Sequence, residues 1–475
     1  MIQDTPVTRV RGLVQLDRPQ SRPSPGLLPV LLAGIGFVVY AVWSILRHHA
    51  FQTTGYDLGI FEQAVRSYAE GHWPVSELRG PGYPLLGEHF HPILVTLAPL
   101  YWIWPAPETL LLAQSALLAL AIVPVSRCAI AALGTARGVA VGAGSGLAFG
   151  LLSAVTFDFH EVCFAVPLVA FSVERLLRRE WGAAVAFALP LLLVKEDLPM
   201  TVAAIGLYLV WQGQRVLGWT TAALGVVTTA VLVTVVLPVL SNTGGYPFGD
   251  RMDNPSVFDG FGLKLSTLLV LLAPTAFVAL RSPLIALALP TLGWRMVSGY
   301  PAYWGPGFHY NAVLIPIVFL AALDGLTRLN AFPLRHGARL ALPMCALVGA
   351  VCSVVALLPA ERQPRWTDTE QAIAGAVLAR IPDGATVAAG NRLAPHLTTR
   401  CRVLFFPQEP ATVWPDWVVV AKPMVDWPIP VARQEARLAE LAHTSYRTVV
   451  ETDTVVLLQR RTSTVSSLAG RLRTR

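Results

Sequence analysis

The chain has 475 residues, of which 54% are hydrophobic and only 14% charged, against roughly 25% charged in an ordinary soluble domain. Such a composition excludes a single water-soluble globule. A formal charge of +7 does not mark a nucleic-acid binder, because the basic residues are dispersed through short loops between apolar segments rather than gathered on one face.

Residues 1–25 form a polar stretch with Arg9, Arg11, Arg18 and Arg22 ahead of the first apolar window. That window is longer than the roughly 7–15 residues of a signal-peptide core, so an uncleaved anchor is expected. Eleven membrane helices are predicted, at about 26–46, 108–126, 138–156, 161–177, 181–197, 198–213, 217–240, 264–280, 283–298, 311–328 and 339–358. The longest approach the roughly 20 apolar residues that cross a bilayer, and a helix satisfies its own backbone where lipid cannot. Residues 26–359 thus form a transmembrane domain with a large first loop at 47–107 and a Gly/Pro-rich second loop at 241–262 suited to a mobile lid. From about 360 to 462 the pattern alternates strand and helix: helices at Thr367–Arg380 and Val431–His443, and strands at Ala385–Ala389, Trp417–Val420 and Thr454–Gln459, a small α/β domain. Residues 463–475 read as a basic, disordered tail. The five cysteines include no CxxC pair, so neither a zinc site nor a disulfide framework is indicated.

With the N-terminus in the cytoplasm, the inner loops hold fourteen Lys and Arg against seven in the much longer outer segments before residue 360, as the positive-inside rule requires. Nine of the ten histidines then fall outside, His336 being the exception. The chain is therefore expected in the inner or plasma membrane, with its chemistry and its α/β domain on the extracytoplasmic side.

Five polar constellations stand out on that side. Asp57, in Tyr56-Asp57-Leu58-Gly59, suits a general base or cation ligand, and equally an N-cap of the following helix. Glu88, His89 and His91 lie within reach of one ion or phosphate, although their spacing matches no specific metal signature. Asp158, His160 and Glu161 crowd one tight turn, and ionisable groups at membrane depth are functional candidates; a turn that caps the next helix is the plainer reading. Lys195-Glu196-Asp197 either neutralise one another or set Lys195 toward a phosphate with Glu196 orienting it. The aromatic loop ending in His309 and Tyr310 suits a sugar ring or lipid head group, and also an interfacial belt.

The order YDLGIFEQ, LLGEHFHP, FDFHE, VKEDL and GFHYNAVLIPIVFLAAL resembles the DUF2079 family of bacterial membrane proteins over roughly residues 30–330. That family in turn resembles the GT-C glycosyltransferase superfamily. The resemblance implies an α-helical polytopic GT-C-like fold and a polyprenyl-phosphate-linked sugar donor at the outer face. It also implies an envelope glycan, lipid or protein as acceptor, Asp57 as the first-loop acid, and Asp158 with Glu161 as the second acidic motif. The turn reads D-x-H-E rather than D-x-D or D-x-E, so a divalent cation such as Mg or Mn, held by Asp57, Asp158 and Glu161, is only one option. No phosphate-loop motif is present for a nucleotide-driven mechanism. The alternatives are a transporter or flippase of a lipid-linked or small polar substrate, for which Pro190, Pro199, Pro238, Pro274 and Pro290 supply broken helices, and a noncatalytic partner that binds envelope polymer.

Overall fold

The computed structural model describes residues 26–252, 256, 258–357, 364–410 and 412–461. The expected N-terminal segment, the basic tail and residues 253–255 and 257 of the second loop lie outside the described residues. Within them, five helices are long and apolar enough to cross a bilayer: Leu28–His49, Pro107–Leu133, Thr135–Thr156, Arg215–Leu240 and Phe332–Leu357. Shorter apolar helices run over Trp181–Leu193, Pro199–Trp211, Phe261–Thr275, Pro283–Val297 and Leu314–Thr327, and Val162–Leu177 joins them. Arg215–Leu240 turns Val216, Trp219, Val227, Val231, Val235 and Val239 outward. An apolar face directed outward is what lipid contact demands, whereas Leu314–Thr327 is sheathed by its neighbours and forms the axis of the bundle.

The element ends differ from expectation where a charge was taken for a loop. The second long helix runs past Arg127 to Leu133, because Arg127 finds an internal partner, the buried Glu174 at 2.6 Å, and Gly134, at φ +82°, ends the helix instead. The helix expected at 264–280 stops at Thr275; Ala276 and Phe277 follow at φ +50° and +58°, after Pro274 has removed a backbone donor. Between Trp181–Leu193 and Pro199–Trp211 the backbone is irregular, which leaves Lys195, Glu196 and Asp197 outside any helix.

Pro199–Trp211 and Arg215–Leu240 form a tight antiparallel pair. A methyl added at Gly206 would lie 2.4 Å from the Ala222 backbone nitrogen, so the two backbones touch through small residues.

The large first loop is built of short helices, among them Ile60–Ala69 and the apolar Pro92–Ile103. On it sits the C-terminal α/β domain. Thr367 caps helix Asp368–Leu378 reciprocally with Glu370. The sheet has order β2-β1-β3-β5-β4, with β1 Thr386–Ala389, β2 Arg402–Phe405, β3 Trp417–Ala421, β4 Tyr446–Glu451 and β5 Val455–Arg460. The first three strands are parallel, and β5 runs antiparallel to β3 and β4. Sequence patterning missed β2 and β4: the first is only four residues long, and the second is an edge strand whose exposure does not alternate. The domain is docked, not tethered: Gln63 Nε2 donates to the Val403 carbonyl at 3.0 Å, and Arg402 pairs with Glu77 at 2.8 Å.

Candidate active site

Asp57 sits in a π-helical turn, Gly55–Gly59, that leads into Ile60–Ala69. The turn is held from two sides. On one, Gly55 N donates to the Asn391 carbonyl at 2.7 Å and Tyr56 N to the Asn391 side chain at 3.0 Å; a methyl on Gly55 would stand 2.6 Å from Ala394 Cβ. On the other, Asp158 accepts from the backbone and hydroxyl of Thr54 at 2.8 and 2.9 Å, with Arg47 at 3.7 Å. Asp158 itself adopts a left-handed φ of +61°, a conformation Asp tolerates better than most residues. It therefore lies behind the site wall and positions the Asp57 turn, unlike the wall residue expected from the motif.

In front of this turn opens a cavity of about 670 Å³. Asp57, Glu88, His89, His160, Glu161, Lys195, Glu196, His309 and Tyr310 all line it, drawn from five separate stretches of chain. The charges are laid out as pairs across these stretches. Lys195 Nζ is 2.9 Å from Glu161, not paired with its own neighbours. Glu196 takes His89 Nδ1 at 2.6 Å and Phe90 N at 3.1 Å. Glu88 receives a two-pronged contact from Arg79 at 2.8 and 2.9 Å, and Arg79 also donates to the Tyr56 hydroxyl. His91 is buried against the edge of Phe61, and burial lowers it to about 4. Glu88, His89 and His91 thus reach three different partners rather than one ion.

His160 is fixed in the wall by Gln114, which accepts from its backbone N–H at 2.9 Å. Its Nδ1 donates to the Phe159 carbonyl, an acceptor-only partner that assigns the tautomer. Nε2 then faces Asp57 Oδ1 at 3.7 Å, long for a hydrogen bond. The His309 ring lies against His160, centroids 3.7 Å apart.

Several residues in or behind the cavity wall were not among the candidate site residues. Arg295, fully buried, donates to the carbonyls of Tyr303, Gly305 and Tyr310 and to the Asn311 side chain at 2.8–3.2 Å, and so sets the shape of the aromatic loop. Arg251, from the second loop, donates to the Tyr303 hydroxyl at 2.7 Å and lies 4.6 Å from the ring centres of both Phe248 and Tyr300. Among the described residues it has no carboxylate within ion-pair distance. Phe248 stacks on His89 at 4.4 Å, which ties this loop to the first. Asp197 accepts from Trp294 Nε1 at 3.0 Å. Trp427, supplied by the C-terminal domain, lines the cavity edge-on to Tyr56.

The residues do not fit a cation held by Asp57, Asp158 and Glu161, since Asp158 is engaged by the backbone and hydroxyl of Thr54 and Glu161 is committed to Lys195. Among the described residues no three His, Cys, Asp or Glu side chains are grouped to hold a metal ion.

A bundle of apolar helices with an α/β domain docked over a polar cavity defines a polytopic membrane protein whose fold fits the GT-C resemblance. The fold is similar to that of ArnT from Cupriavidus metallidurans bound to undecaprenyl phosphate: TM-score 0.55 and 16% identity, over 91% of this chain and 98% of that one. The apo form of the same protein gives 0.52 and 16%, over 90% and 98%. The DUF2079 family of predicted membrane proteins matches residues 47–457, and the chain belongs to it. The match runs through the C-terminal domain, beyond the motifs that carried the sequence resemblance. No curated protein matches.

Proposed function

We infer that this protein transfers a sugar from a polyprenyl-phosphate donor to an envelope acceptor, with Asp57 as general base. The observation that carries the reading is one cavity holding a buried carboxylate beside an imidazole on one wall and, on another, a guanidinium set among aromatic rings with no carboxylate partner among the described residues. It occurs on a fold shared with a protein whose structure holds undecaprenyl phosphate. In this reaction the acceptor hydroxyl attacks the anomeric carbon, its proton passes to Asp57, and the carbon–oxygen bond to phosphate breaks. The leaving phosphate keeps the electron pair and is stabilised by Arg251, Lys195 and His309. His160 stands beside Asp57 in the wall, Asp158 fixes its turn, and Glu161 and Glu196 keep Lys195 and His89 in place. Membrane helices supply Met200, Thr229 and Val233 to the same cavity, an apolar wall suited to the lipid end of a donor.

The arrangement in the membrane belongs to the same reading: eleven crossings, the N-terminus cytoplasmic, residues 26–359 as the membrane domain, and the cavity and residues 360–462 on the outer side, in line with the fourteen-to-seven distribution of Lys and Arg.

The test is transfer of radiolabelled sugar from polyprenyl-phosphate donors in membranes carrying wild type or Asp57→Asn. A loss of about 10²–10⁴-fold is expected, the usual contribution of a positioned base. Unchanged transfer in Asp57→Asn removes the base; donor crossing the bilayer without transfer replaces the enzyme with a flippase.

A further inference from the structure

The C-terminal domain holds a second cavity, of about 200 Å³, at the end of the sheet where β3 begins. Glu409 forms its charged wall. One carboxylate oxygen accepts from Arg437 Nε at 2.7 Å; the other is buried with no hydrogen-bond partner among the described residues. Arg437 is held in turn by Glu440 at 2.9 Å. Across the opening lies Trp414, half exposed, and the floor is Tyr446, whose hydroxyl is spent on the Pro415 carbonyl at 2.8 Å.

An ionised carboxylate oxygen only accepts, and leaving one buried and unpaired is costly, so the cavity calls for a donor from outside. An exposed indole beside it calls for an apolar face. A sugar ring offers both at once, C–H groups on its face and hydroxyls at its edge, and a space this small admits one ring. We propose that this cavity is a saccharide-binding subsite, with the ring over Trp414 and a hydroxyl donated to the open oxygen of Glu409.

The cavity is separate from the membrane site. Trp414 immediately precedes β3, and Trp427, which lines the large cavity, follows its far end. The two tryptophans thus flank opposite ends of a five-residue strand. That span suits an oligosaccharide held at one point by the domain while another part reaches the membrane cavity. The binding itself does not rest on any transfer chemistry.

The experiment uses the full-length protein in a detergent without a sugar head group. Saturation-transfer NMR and calorimetry are run with the methyl glycosides of glucose, galactose, mannose and N-acetylglucosamine. At least one should bind saturably, at least tenfold more weakly in Trp414→Ala and in Glu409→Gln, and unchanged in Asp57→Asn. Trp414 is exposed enough for its truncation to leave the fold intact, which an unaltered melting curve checks. The subsite is overturned if none of the four saturates, if Trp414→Ala binds as wild type, if Asp57→Asn alone abolishes binding, or if tetramethylammonium displaces the sugar, which would make the cavity a cation site.

Discussion

The Arg251 guanidinium stands among aromatic rings, and that surrounding gives it a distinct role within the cavity. The other strong cation on the wall, Lys195, is paired with Glu161, and Arg79 behind it is paired with Glu88. A ligand phosphate arriving at Arg251 displaces no carboxylate of the described residues, so a charge-assisted bond is gained. Replacing it with Ala should weaken donor binding by about 1.5–3 kcal/mol, the worth of a hydrogen bond to a charged group, or roughly ten- to a hundredfold in KM. Arg251→Lys, which keeps the charge but not the planar fork, should fall between. Steady-state kinetics against donor concentration decides; a loss confined to kcat at unchanged KM would move Arg251 from donor binding to the reacting centre. The contrast between Asp57 and Asp158 is of the same kind. Both are buried acids from polar motifs, yet one faces the cavity and the other the backbone of Thr54, a difference of orientation that a spacing in sequence does not encode.

At the scale of single elements, the pair Pro199–Trp211 and Arg215–Leu240 carries two sides of the argument, since it packs the bundle and lines the cavity with Met200, Thr229 and Val233. Its close approach depends on glycine. Gly206→Val would press side-chain atoms onto the Ala222 backbone, which cannot yield as a flexible side chain does; overpacking of this sort costs about 1–3 kcal/mol. A lowered melting temperature in detergent is the expected result. Gly182→Ala is the control, because a methyl there meets nothing within 4 Å. If both variants melt as wild type, the glycine contact is not what holds the pair together. Helix periodicity located these two elements well. The boundary of Pro107–Leu133 shifted because a charge in sequence signals a loop only when it has no partner inside, and Arg127 has Glu174.

At the scale of the whole molecule, the C-terminal domain completes the cavity, and its docking has a built-in pH dependence. His396 of this domain stacks on His48 of the first helix, ring centres 4.3 Å apart, and contacts Phe51. His49, Glu108 and Arg392 carry the surrounding charge. Burial holds His396 well below its ordinary 6.5, and the neighbouring His48, His49 and Arg392 push the same way. The undocked imidazole therefore binds a proton below about pH 6.5 while the docked one does not, so docking is strongest above that value and weakens as the pH falls. Limited proteolysis or hydrogen exchange of the domain between pH 7.5 and 5 should show faster opening at the acid end, with His396→Phe flattening the profile. A profile that stays steep in His396→Phe assigns the titration to another group.

Much of this protein is written locally. Long apolar windows cannot be hidden in water, so composition alone determined a membrane protein of many helices, and alternating strand and helix periods determined a small α/β domain at its end. The short polar motifs, with Asp57, Glu88, His89, His160, Glu161, Lys195, Glu196, His309 and Tyr310 among them, identified side chains that now line one cavity. Only the tertiary structure decided the partners: Lys195 with Glu161, His89 with Glu196, Asp158 behind the wall, and Arg251 and Trp427 drawn in from the second loop and the C-terminal domain, where neither residue was singled out. The reason is physical. Hydropathy and period are properties of neighbours along the chain, whereas an ion pair or a cavity wall depends on directions fixed only when segments distant in sequence pack together.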